Sequence, residues 1–239
     1  MKPKIFVGTM YCGEGDFEKC KNAILNQVNV ETEHFIVQDK PEKEAHDTLF
    51  TKWNQLKKDF SLFVKVDADT VLNGDDILKK IFDFMYSDKD ITGLQIPIYD
   101  YFTDSLIAGL NCFKPEVIFN TNSHHLYCDR VDSGHKKQIV GNAVPEYFIP
   151  GAHHCNYATN KQAYHYGVHR ALKNQRTNIQ KVYNAWKTHK DDLRLYALIG
   201  ADHSKYFANG NEFNYTDDKF INHFKDAENQ LESYKIKLR

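Results

Sequence analysis

One short stretch constrains this chain more than any other: the apolar run Ser61–Val66 leads straight into Asp67-Ala68-Asp69. Side chains at i and i+2 of a strand share a face, so the pattern predicts that both carboxylates reach one point in space. Like charges that close raise each other's pKa unless a cation lies between them. Hard oxygen ligands with room for water and phosphate suit Mg²⁺ or Mn²⁺. A metal there would neutralise a diphosphate. The competing reading is a turn or helix-capping cluster, because Asp is a common turn former.

The sequence around the pair predicts alternating strands and helices. Lys4–Thr9 reads as a first strand closing near Gly8, with Gly13 and Gly15 in the loop behind it. Asp16 is placed to cap a helix in which Phe17, Cys20, Ala23, Ile24 and Val28 recur at helical spacing. His34–Val37 is the second strand, and Pro41 opens a helix carrying Ala45, Leu49, Trp53 and Leu56. This β-α-β-α-β order implies an α/β fold with parallel strands and right-handed crossovers. Ligands of such sheets bind beyond the carboxyl ends of the strands, where Thr9, Asp39 and Asp67 are predicted to meet.

Further on, a helix is predicted from Gly74-Asp75 through Met85, then a strand over Ile91–Ile98 in which Pro97 signals an edge or a bend. Residues 100–150 mix Pro, Asn, Asp and Gly with aromatics and predict short strands and long loops. Tyr147–Ile149 reads as a strand ending at Pro150-Gly151. Thr159 caps a helix to about Lys173, and a final amphipathic helix starts near Asp217. Its basic tip (Lys235, Lys237, Arg239) suits either peripheral contact with an anionic membrane or an ordinary helix C-terminus, which favours cations.

Composition narrows the function classes. The 239 residues fit one domain with a modest extension, and 31 Lys plus Arg against 32 Asp plus Glu argues against a nucleic-acid partner. Five cysteines without a C-x-x-C pair predict reduced thiols in a cytoplasmic setting. The opening apolar run, Ile5-Phe6-Val7, is too short for a signal peptide, and no segment reaches the roughly 18 apolar residues of a membrane span. Most of the 16 Phe and 14 Tyr are assigned to core packing, with some left to line a sugar-sized cleft.

Taken together, Lys4–Met10, Phe63–Leu72, Gly151–Cys155 and Gln162–Lys173 resemble the GT-A glycosyltransferases, especially their family-2-like members, over about residues 3–175. The resemblance implies a Rossmann-like domain over 1–175 with a mainly parallel or mixed sheet flanked by helices. Its nucleotide-binding half would be 1–72 and its acceptor half 73–175, with 176–239 a helical extension packed on the same domain. It implies that Asp69 is the principal ligand of Mn²⁺ or Mg²⁺, that Asp67 supports it, and that a late histidine completes the set. His154 is preferred to His153 for that place. Thr9 and Met10 would contact a nucleobase through backbone groups, Asp39 the base or ribose, and Lys52 the base or phosphates. Arg170 and Lys173 would add charge for a diphosphate, or stand as solvated cations at a helix end. Lys52 reads equally well as an ordinary surface residue. His165 and His169, four apart on one helix face, have zinc-like spacing but lack a third ligand, which favours a surface or cleft-wall role.

The implied activity is transfer of a sugar from a nucleoside-diphosphate sugar (UDP-linked favoured, GDP-linked the alternative) to a glycan or lipid-linked acceptor. Inverting members carry a Glu-Asp pair whose Asp acts as base, and this chain has none between residues 90 and 150. Asp100, Asp104, Asp129 and Asp132 are the nearest acids. Asp129 or Asp132 is chosen, since Gly134–Val140 resembles the segment that follows the base, and inverting versus retaining chemistry stays open. Two rival classes stand beside this one. A nucleotidyltransferase is disfavoured because the loop after the first strand carries no basic residue, and a non-catalytic sugar-nucleotide or glycan-binding module is the other.

Overall fold

A computed structural model describes residues 2–121, 126–129, 131–207 and 213–237, so Arg239 lies outside the described residues. The chain forms two compact units, one running to Asp100 and resuming over Leu106–Asn156, the other made of Tyr101–Ser105 and the chain from Tyr157 onward. The division at 156/157 groups the helix capped by Thr159 with the C-terminal helices rather than with the sheet.

The first unit begins β1 (Lys4–Tyr11), α1 (Phe17–Leu25), β2 (Glu31–Gln38), α2 (Glu42–Leu56) and β3 (Leu62–Lys65). It continues with β4 (Thr70–Leu72), α3 (Ile77–Ser87), β5 (Ile91–Asp100) and β6 (Ser105–Phe113). Short strands follow: β7 (Ile118–Phe119), β8 (Asp132–Ser133), β9 (Lys137–Ile139) and β10 (Ala152–His154). The main sheet runs β2-β1-β3-β6-β5-β10-β4 with β9 beside β5, while β7 and β8 form a separate ribbon. β1 is parallel to β2 and β3, and β6 lies antiparallel to β3, so the sheet is mixed and flanked by helices.

Alternation along β1 builds two apolar layers. Ile5 and Val7 join Ile24, Leu78 and Ile81 on the face covered by α1 and α3. Phe6 faces the other way, into an aromatic layer with Phe50, Trp53 and Phe63 under α2. Gly8 does not end β1. A Cβ there would lie 2.4 Å from Leu49 Cδ1, so glycine lets α2 press onto a strand that continues to Tyr11.

Two predicted features fall differently. Pro97 sits in an interior strand; its missing N–H falls between the stretch of β5 paired with β9 (Ile91–Leu94) and the stretch paired with β10 (Tyr99–Asp100). Tyr147–Ile149 is not a strand: Glu146–Phe148 forms a 3₁₀ turn after Pro145, and the strand comes after Gly151, carrying both His153 and His154.

The second unit holds α4 (Asn160–Leu172), α5 (Arg176–His189), α6 (Asp192–His203) and α7 (Asp218–Lys237). Thr159 and Gln162 form a reciprocal capping box at the start of α4. α4 and α6 cross at Gly167 and Gly200, where a Cβ would sit 1.8 Å and 2.1 Å from carbonyl oxygens of the opposite helix. Among the described residues no helix is long and apolar enough to cross a membrane. Lys235 is engaged at home, 2.9 Å from Asp192 and 2.8 Å from Glu232.

Candidate functional site

The acidic pair does not sit on a strand face. β3 stops at Lys65, and Asp67 to Thr70 is a turn closed by the Thr70 N–H donating to the Asp67 carbonyl at 2.9 Å. Buried Val66, Ala68 and Thr70 anchor that turn, so the two acids diverge. Asp67 is 52% exposed and meets Lys65 Nζ at 2.5 Å, whereas Asp69 is 17% exposed and turns toward β10. Burial among neighbouring groups pushes Asp67 up, but the Lys65 ammonium outweighs it and holds the carboxyl at about 2.

Asp69 joins His154 and Cys155. His154 Nε2 is 3.4 Å from Asp69 Oδ1, Cys155 Sγ is 3.3 Å from Asp69 Oδ2, and Sγ is 3.4 Å from Nε2. Backbone pairing sets this triangle. β10 puts His154 opposite Thr70 on one side and Asp100 on the other, and the Cys155 N–H donates to the Asp69 carbonyl at 2.8 Å. Cys155 itself adopts a left-handed backbone, with φ of 60°, which turns the chain as it leaves the strand.

Behind the triangle, fully buried Asp100 lies 2.7 Å from His154 Nδ1. A carboxylate only accepts, so the proton belongs on Nδ1 and Nε2 offers its lone pair to the triangle. Acid density is high here. Burial first, then the Asp69 and Asp67 charges, raise Glu14 to about 7, and burial with Asp69 and Asp100 raises the Cys155 thiol well above its ordinary value. Asp16 at the head of α1 is fully buried and acts on the same thiol.

The donor set fits a divalent cation. Metal bonds of 2.0–2.3 Å in a tetrahedral site separate ligand atoms by about 3.3–3.8 Å; the pairwise approaches here fall in that range, with His154 meeting Asp69 Oδ1 and Cys155 meeting Oδ2, and one donor atom from each of the three lies within 4.8 Å of the others. Carboxylate and imidazole suit Mn²⁺, and the thiol adds a softer donor that suits zinc. Asp69 and His154 thus come together as the sequence predicts, with His153 pointing to the alternate strand face near Tyr99. Asp100, Cys155 and Glu14 were not assigned to the metal from sequence. Their signal was faint: an acid closing a strand, a thiol next to a histidine, a carboxylate in a glycine loop.

The remaining predicted residues scatter. Thr9 is inside β1, fully buried, with Oγ1 2.9 Å from His34 Nε2, so Tyr11 rather than Thr9 ends the strand. Met10 pairs with Val37, and Asp39, with φ of 52°, donates its N–H to the Tyr11 carbonyl at 2.9 Å. Lys52 holds its ammonium 5.8 Å from the Phe35 ring, in a groove of about 440 Å³ that Asp47 and Thr51 also line. The two base candidates separate. Asp132 binds His135 Nε2 at 2.6 Å, whereas Asp129 acts on Lys65 and His46, the same neighbourhood as Asp67.

Arg170 and Lys173 belong to the second unit. Arg170 donates to Gln175 Oε1 at 2.9 Å and lies over the Tyr166 ring, and Lys173 closes α4. His165 is stacked at 4.4 Å on Tyr215 and next to His169, an aromatic packing role. No protein-family model matches the chain, and no curated protein matches it.

Proposed function

We propose that this protein is a metal-dependent glycosyltransferase of the GT-A type. It would transfer a sugar from a nucleoside-diphosphate sugar, UDP-linked by preference and GDP-linked as the alternative, to a hydroxyl of a glycan or lipid-linked acceptor. The observation that carries the reading is the Asp69–His154–Cys155 donor triangle beside Asp67, next to the carboxyl ends of the parallel strands β1, β2 and β3. A divalent ion bound there, Mn²⁺ or Mg²⁺, would offset charge on the donor diphosphate. Asp69 and His154 would hold it, with Asp100 orienting His154 from behind. In this reading Asp39, beyond β2, would contact the nucleoside, and Asp129 or Asp132 would take the acceptor proton. A cytoplasmic setting is part of this reading, on five cysteines that include no C-x-x-C pair.

Thermal unfolding with UDP-, GDP-, CDP- and dTDP-sugars, each with and without Mn²⁺, tests the reading. A ligand that binds only the folded state raises the melting temperature by mass action. One donor class should raise it, and more so with Mn²⁺ than without. No shift with any of them would count against the reading.

A further inference from the structure

Cys155 is the member of the donor triangle that the transfer reading leaves without a task. It is 1% exposed and belongs to the same compact unit as Asp69 and His154. Two backbone features fix it there. Its N–H donates to the Asp69 carbonyl at 2.8 Å, and its φ of 60° lies in the left-handed region, which few non-glycine residues occupy. Such conformations persist where the surroundings over-determine them, and they cluster at ligand sites. Here the turn delivers the sulfur to two neighbours at once, 3.3 Å from Asp69 Oδ2 and 3.4 Å from His154 Nε2.

Hydrogen bonding does not account for both contacts. A thiol is a weak donor with one proton, so it serves either the carboxylate or the imidazole lone pair at a time. Nε2 is the open nitrogen of His154, because Asp100 accepts the proton on Nδ1 at 2.7 Å. That open nitrogen faces Asp69 Oδ1 at 3.4 Å as well as the sulfur. One donor atom from each of the three lies within 4.8 Å of the others. Burial apart, the charges acting on the sulfur are those of Asp69, Asp100 and Asp16, all carboxylates. Three donors thus face one another in negative surroundings, which a cation among them would turn from repulsive to attractive.

We infer that Cys155 is the third protein ligand of the metal held by Asp69 and His154, and that its sulfur makes the site select zinc-type cations (Zn²⁺, Co²⁺) over Mg²⁺. Sulfur is a soft donor that hard Mg²⁺ binds poorly, whereas carboxylate, imidazole and thiolate together suit borderline-soft Zn²⁺. On binding, the S–H bond breaks, a sulfur–metal bond forms and the proton goes to solvent. Three protein ligands leave one position of a tetrahedral ion open to water or a phosphate oxygen. The inference rests on the metal-binding part of the function proposed above and not on sugar transfer.

Co²⁺ is the probe, because a cobalt–thiolate bond absorbs in the near ultraviolet. The full-length parent chain should show that absorption, and Cys155→Ser should abolish it while Cys12→Ser and Cys128→Ser keep it. Zn²⁺ should displace the cobalt near equivalence, and Mg²⁺ in about hundred-fold excess should not. Absorption that is absent from the parent, that survives in Cys155→Ser, or that Mg²⁺ removes as readily as Zn²⁺ overturns the inference. Should Cys155→Ser lose its folded circular-dichroism signature, Asp69→Asn decides, since Cys155 is the thiol in contact with Asp69. It should weaken the binding that gives the cobalt–thiolate band by about ten-fold or more, and unchanged affinity refutes the site. Donor sugars take no part in these readouts. A cobalt band without any donor-induced thermal shift supports the ligand and counts against transfer; a donor shift without the band overturns the ligand and leaves transfer standing.

Discussion

Asp100 stands directly behind His154, Oδ1 to Nδ1 at 2.7 Å, and the pair locks the imidazole so that Nε2 faces Asp69 and Cys155. Strand register produces the contact, since the two residues are Cα partners on β5 and β10. Asp100→Asn keeps the volume but offers an amide whose NH₂ can face the ring, which releases the tautomer. Divalent-cation affinity should fall about 10- to 100-fold with the fold intact. Titration calorimetry of the two proteins measures this, and equal affinities would show that Asp100 has no part in orienting His154.

Glu14 gives the site a pH signature. Its folded pKa of about 7 lies above the ordinary 4.5. Between those values the folded chain keeps a proton that the unfolded chain has released, so stability falls as pH rises through that window. The loss should be on the order of 2 kcal/mol, the full shift being discounted for partial exposure. Urea unfolding of metal-free protein at pH 5 and pH 7.5 reads it, and Glu14→Gln should flatten the slope. An identical slope in that variant would assign the effect elsewhere.

The helical unit has its own point of failure. A methyl at Gly167 would lie 1.8 Å from the Ala197 carbonyl oxygen, and backbone cannot yield as a flexible side chain does. Gly167→Ala should cost about 3 kcal/mol or more by forcing α4 and α6 apart. A chemical-denaturation midpoint equal to that of the parent would contradict the close crossing.

The sequence made some of this legible and concealed the rest for physical reasons. Helical periodicity located α1 to α4, each of which buries one face, while short apolar runs located β1 to β3, with β1 and β3 buried on both faces. β6, nine residues long, was not located in a region read as short strands and long loops, since small Ala108 and Gly109 blur its alternation; Gly109 is there because Ile98 leaves no room for a Cβ, with Cδ1 only 2.2 Å away. β10 has three residues, too few for any period, and an apolar turn just before it imitated the strand. At the site, the strand running into the acids singled out Asp69, and the glycosyltransferase resemblance preferred His154 to His153. Asp100 and Cys155 join them through the register of β5, β10 and β4, which no local pattern encodes. The shared strand face for Asp67 and Asp69 failed because β3 ends two residues before the first acid.

The most direct test is donor turnover by the parent chain and Asp69→Ala, each confirmed folded, with Mn²⁺ present or chelated. Release of nucleoside diphosphate from the donor sugar that stabilises the protein is the readout. The account predicts metal-dependent release by the parent and a loss of at least about 100-fold in Asp69→Ala, the scale of removing one charge-stabilising group from an active site. Turnover that persists unchanged in Asp69→Ala, or that ignores the metal, would contradict it.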